Sequence, residues 1–196
     1  MRRAIIFVSG WLAAAPAGGT APEPVGTMDQ ADVQVALRVR LAGASRAAVM
    51  RALAGAAGRL DQPSCQAVLG DFEAAAGDQP ARRLETLRLT ASDFLNVIVF
   101  ARGARQGRCA EPGVLAVTTP GSRVVYVCEG RFAELAAGDP ETAEATLIHE
   151  ALHSLGVPEN PPTSREITRR VLARCGDQAL ADGRAAAGTQ RASVEE

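Results

Sequence analysis

The sequence predicts an α+β domain, a small sheet set among helices. Three observations carry this. Apolar residues recur at helical spacing on either side of the middle of the chain. The middle itself is rich in β-branched residues and is cut by turn residues into runs of strand length. The chain has 196 residues, of which 47% are hydrophobic, an ordinary share for one domain with a real core.

The elements follow in chain order. Met1-Arg2-Arg3 is a short positive start, Ala4 to Ala14 is an apolar run, and Ala15-Pro16-Ala17 offers an A-x-A cleavage site. Together they read as a secretory signal peptide over residues 1–17. The apolar run, about 11 residues, is too short to span a bilayer, which takes roughly 20. Residues 18–28, containing TAPEPVGT, form a linker. Residues 29–176 are the folded domain, and 177–196, without a convincing apolar face, are a flexible tail.

Within the domain, Val33, Val35, Ala36, Val39 and Leu41 share helical spacing, as do Ala48, Val49 and Leu53. Gly43-Ala44-Ser45 divides the stretch from Asp29 to about Leu60 into two helices, with Ser45 as the second N-cap. A third helix is expected from Ser64 to Ala76, ending at Gly77, and a short amphipathic piece from Ala81 to Leu89. Strands are expected at Asn96–Ala101, Val114–Thr119 and Arg123–Cys128, the last two joined by a hairpin turn at Pro120-Gly121. Asp139-Pro140 is an N-cap followed by proline at the first helical position, opening a helix that stops at Gly156. A proline-rich loop, VPENPPTS, leads to a last helix over Arg165–Arg174.

Charge narrows the partners. The 21 basic residues, all arginine, against 22 acidic ones leave no basic surplus for nucleic acid. No segment after the signal peptide is a transmembrane candidate. The product is expected to be exported, periplasmic or secreted, with no stable membrane insertion after cleavage, and monomeric by default. Cys65, Cys109, Cys128 and Cys175 are an even number without a CxxC pair. In an oxidising compartment they make two disulfides rather than a metal cluster. Three connectivities are open. Pairing Cys109 with Cys128 is favoured, since both flank one strand-rich segment.

Both histidines of the chain lie in LIHEALHSLGVPEN, His149 and His153, with Glu150 directly after the first. Residues four apart share a helix face, so two imidazoles at this spacing can hold one zinc ion at about 2.0–2.1 Å. Glu150, about 100° round the helix, can reach a zinc-activated water as general base without being a ligand. Leu147, Ile148, Ala151, Leu152 and Leu155 give the same helix a buried apolar surface that would hold it rigid.

The HEALH segment resembles the active-site helix of the zincin metallopeptidases. The resemblance covers about 20 residues and implies peptide or protein substrates, a Zn²⁺ cofactor, and a sheet whose edge strand lies antiparallel to bound peptide. By that analogy RVVYVC is the expected edge strand, with Tyr126 more simply a half-buried strand residue. The third ligand is expected from Glu159, with Glu166 as the alternative. Metzincins resemble HExxHxxGxxH, and here Gly156 occupies the glycine position and Glu159 the third-ligand position. The methionine turn of that group is missing, because Met50 is the last methionine. Gluzincins take a glutamate from a later helix, which points to Glu166, although Thr163-Ser164-Arg165-Glu166 also fits a capping box. An alternative class is a zincin-fold protein of the cell envelope that binds zinc or a partner without catalysis.

Overall fold

A computed structural model describes residues 38–77 and 79–183. The expected signal peptide and linker lie outside the described residues, as do residues 184–196. The fold is mixed α+β, with a four-stranded sheet and two disulfides.

Helical geometry at Arg38 gives way at once to strand β1 (Val39–Arg40). The helix expected to run through Leu41 therefore does not reach it, and its residues 29–37 lie outside the described residues. Val39 and Leu41 fit a two-residue repeat as well as a helical one, and Val39 is buried because β1 pairs with β2. Helix α1 (Gly43–Leu60) starts two residues after β1 ends, with Ala42 in the extended N-cap position and no side-chain cap. Ser45 is thus inside the first turn rather than at the cap. The third expected helix is a composite: α2 (Pro63–Gln66), a 3-10 stretch (Ala67–Phe72) and α3 (Glu73–Ala76). It stops at Gly77, whose φ of +60° suits a residue without a Cβ. Helices α4 (Gln79–Leu87) and α5 (Ala91–Phe94) follow.

The strands lie where the β-branched runs are. β2 (Val99–Arg102), β3 (Ala116–Val117) and β4 (Val124–Val127) join β1 in the order β1-β2-β4-β3. β1, β2 and β4 are parallel, with Phe100 opposite Val125, both fully buried. β3 runs antiparallel to β4 through a turn in which Ser122 N–H donates to Thr119 C=O and Gly121 has φ +82°. That is the hairpin expected at Pro120-Gly121, in the Pro-Gly form of a type II turn. The edge strands, however, are β1 and β3. RVVYVC, expected at the edge, is interior, paired with β2 on one side and β3 on the other. Alternation of β-branched residues reports burial of a strand's faces and says nothing of which strands flank it.

Helices α6 (Glu129–Gly138), α7 (Pro140–Ser154) and α8 (Ser164–Cys175) complete the chain's helical layer. α7 is the central one: it packs on α1, α6, α8 and β3, and all residues from Leu147 to Leu155 are buried. A helix whose second half is buried on all sides belongs in a core, and its buried polar residues, His149, Glu150, His153 and Ser154, must find their partners there. Phe72, Phe94, Phe100 and Phe132, each at most 1% exposed, fill the space around it. Burying such a side chain contributes about 1.5–3 kcal/mol.

Cys65 joins Cys175, and Cys109 joins Cys128. The second is the favoured pairing. Residues 177–183 are helical and Leu180 is buried, so the ordered domain runs past the expected boundary at 176. A single apolar residue makes no periodicity, and this turn is held instead by Arg59, which reaches Asp177 and the Cys175 carbonyl. Among the described residues no helix is long and apolar enough to cross a membrane.

Candidate functional site

The site is built around the C-terminal half of α7. Its start is fixed by Asp139, whose carboxylate accepts from Thr142 N–H at 3.0 Å and from the Thr142 hydroxyl at 2.6 Å. Those bonds hold the Asp139 pKa below its ordinary value. Its end is a Schellman turn: Val157 N–H donates to Leu152 C=O and Gly156 N–H to His153 C=O. Gly156 has φ +111°, a conformation that demands glycine. Two other elements satisfy the last carbonyls. Gly121 of the hairpin turn donates to His153 C=O at 2.8 Å, and Arg83 donates to Ser154 C=O at 3.1 Å.

The same turn orients a histidine. It brings the Val157 carbonyl to 2.8 Å from His153 Nδ1. A carbonyl only accepts, so Nδ1 carries a proton, and the Nδ1–H tautomer has its lone pair on Nε2. His149 Nδ1 lies 2.9 Å from Thr168 Oγ1, on α8. With Nδ1–H donating there, its Nε2 lone pair also faces inward. The two Nε2 atoms are 3.1 Å apart, on rings 6% and 3% exposed. Two nitrogens on one tetrahedral zinc ion at 2.0–2.1 Å would be about 3.3 Å apart, so the pair fits two of the four positions. Burial, and secondarily the neighbouring His153, lowers the His149 pKa to about 3 and keeps that ring neutral, the form that ligates metal.

Glu150 lies beside them, buried, and its Oε2 has no hydrogen-bond partner among the described residues. An orphaned buried carboxylate oxygen is costly and calls for a polar occupant of the adjoining space. Burial first, then the charge of Glu159, pushes its pKa up to about 8, while Arg108 opposes the rise. The space it adjoins is a cavity of about 150 Å³. His149, Glu150, His153, Glu159, Arg108 and the β3 segment all line it.

The two candidate third ligands part company. Glu159 lines the cavity, but its carboxylate is 3.3 Å from Arg108 Nη1. Glu166 does not line it. Its carboxylate is 3.6 Å from Arg170 one turn on, and its N–H donates to Thr163 Oγ1, the first half of the expected capping box. Among the described residues no three His, Cys, Asp or Glu side chains converge as a metal-holding group. The geometry thus brings His149, Glu150 and His153 together, keeps Glu159 at the same cavity, and leaves Glu166 outside. Tyr126 lines no part of it.

Sequence reasoning missed three contributors. Thr168 and Arg108 meet the site only through tertiary packing and leave no local signal. The Val157 carbonyl was accessible, because glycine followed by an apolar residue after a helix is the mark of a Schellman turn. Comparison with family models, curated proteins and solved structures returns no match.

Proposed function

We propose that the chain is an exported, zinc-dependent metallopeptidase of zincin type. One observation carries the reading: two buried imidazole nitrogens converge at 3.1 Å beside a buried carboxylate with an unpartnered oxygen. An ordinary helix has no reason to keep such a set away from water. His149 and His153 would hold the metal, and Glu159 would complete its protein ligands. What supports Glu159 over Glu166 is that it alone lines the cavity. The two disulfides support an oxidising compartment.

When bound, zinc supplies a Lewis acid that acidifies water and polarises a peptide carbonyl. The chain's own residues do the rest. Thr168 and the Val157 carbonyl hold the two imidazoles in the ligating tautomer and orientation. Glu150 accepts a proton from the attacking water, whose oxygen bonds to the carbonyl carbon. Glu150 then gives that proton to the departing amine nitrogen as the C–N bond breaks. Among the described residues β3 has no strand beyond it and its segment lines the cavity, so an extended peptide would pair there.

The test is hydrolysis of a mixed peptide library by the zinc-loaded chain. Cleavage by the parent protein that vanishes in Glu150→Gln, with zinc retained, is the expected result. Cleavage that survives in Glu150→Gln would sink the mechanism. Retained zinc with no cleavage in either protein would favour a non-catalytic zinc-binding role.

A further inference from the structure

Arg108 is a cation built into the wall of the cavity, and among the described residues Glu159, at 3.3 Å, is the side chain it pairs with. It lies in a 3-10 turn (Gly107–Ala110), next to Cys109, whose disulfide ties that turn to Cys128 at the end of β4. Arg131 of α6 clamps the following loop, donating to the carbonyls of Cys109 at 2.9 Å, Glu111 at 2.6 Å and Val114 at 2.6 Å. The backbone under Arg108 is therefore fixed, while its side chain is 50% exposed. Its ion pair with Glu159, at 3.3 Å, is long beside the roughly 2.7–2.9 Å of a strong charge-assisted bond. Among the described residues no other arginine lines the cavity.

The zinc reading assigns Glu159 elsewhere. A carboxylate that turns to the metal gives up Arg108 and leaves a guanidinium facing the cleft beside the edge strand. Guanidinium is matched by a planar, charged oxygen pair, and a neutral peptide would leave it uncompensated. We infer that Arg108 is the specificity-determining residue of the cleft, pairing with a carboxylate of the bound peptide once Glu159 has turned to the metal. This rests on the peptidase reading above. The carboxylate is either an acidic side chain or the peptide's C-terminus, which share one chemistry.

The test uses the full mature chain loaded with zinc, and binding rather than turnover. Three hydroxamate dipeptides are titrated by calorimetry: one with a glutamate side chain and an amidated C-terminus, one with glutamine and a free C-terminal carboxylate, and one with glutamine and an amidated C-terminus. At least one of the first two is expected to bind about tenfold or more tightly than the third, and which one identifies the source of the carboxylate. Arg108→Met is expected to erase the preference, and Arg108→Lys to keep part of it. Zinc stoichiometry measured on each variant separates a lost preference from a lost fold. Equal binding of all three, or a preference that survives Arg108→Met, overturns the inference while leaving the peptidase reading standing. A parent protein that takes up no zinc overturns both, and does so before any peptide is added.

Discussion

Burial holds the Glu150 pKa at about 8, above its ordinary value of 4.5, so the metal-free fold favours the neutral acid. The unfolded chain ionises this group first. Stability of the metal-free protein should therefore fall as pH rises from about 4.5 to about 8. Urea unfolding at pH 5 and pH 8 is expected to show a difference in stability that Glu150→Gln shifts by on the order of a few kcal/mol, towards greater stability at pH 8. An unchanged difference in that variant would mean the carboxyl is not sequestered. His149 acts in the opposite direction: its lowered pKa makes the fold resist protonation, so stability is lost as pH falls from 6.5 towards 3. Thr168 offers a separate check. Thr168→Val removes the hydroxyl from His149 and should weaken zinc binding by about 10–100-fold, while Thr168→Ser should restore most of it. Equal affinity for all three proteins would remove Thr168 from the site.

Gly156 links the end of α7 to the orientation of His153. At φ +111° an alanine is strained although nothing crowds it, since a Cβ added there would meet its nearest atom only at 3.6 Å. Gly156→Ala is expected to cost about 1–3 kcal/mol in chemical unfolding and to weaken zinc binding as the Val157 carbonyl shifts. Stability lost without any change in zinc affinity would separate the turn from the metal. This helix was the most legible part of the chain, because Asp139-Pro140, Gly156 and the apolar face between them are all local signals. The strands were legible as runs of Val, but β1 was hidden among residues that fit a helical repeat equally well. That β3 and not β4 forms the edge beside the cavity depends on non-local pairing, which no short window records. For the same reason spacing favours Glu159 as third ligand without excluding Glu166. Only packing shows that one lines the cavity and the other pairs with Arg170 along its own helix.

The molecule is closed at long range by the Cys65–Cys175 disulfide, across a separation of 110 residues, and by the buried guanidinium of Arg59. Arg59 reaches Glu144 of α7 at 2.5 Å, Asp177 at 2.7 Å and the Cys175 carbonyl at 2.6 Å, which ties α1, α7 and the chain beyond α8 together. Cys109–Cys128 spans only 19 residues. Loop-closure entropy then makes the first bridge the more stabilising, at about 5 kcal/mol against about 3 kcal/mol. Paired Cys→Ala variants compared by urea unfolding should reproduce that order, and a reversed order would show that native-state contacts outweigh the entropy. Beneath all of this is the claim that the two histidines exist to hold a metal. Zinc content per chain, measured on the natively purified protein after dialysis against a zinc buffer, tests it. The expected result is one zinc per chain, lost in His153→Ala. A parent protein that emerges with none would contradict the account and return the HEALH segment to an ordinary buried helix.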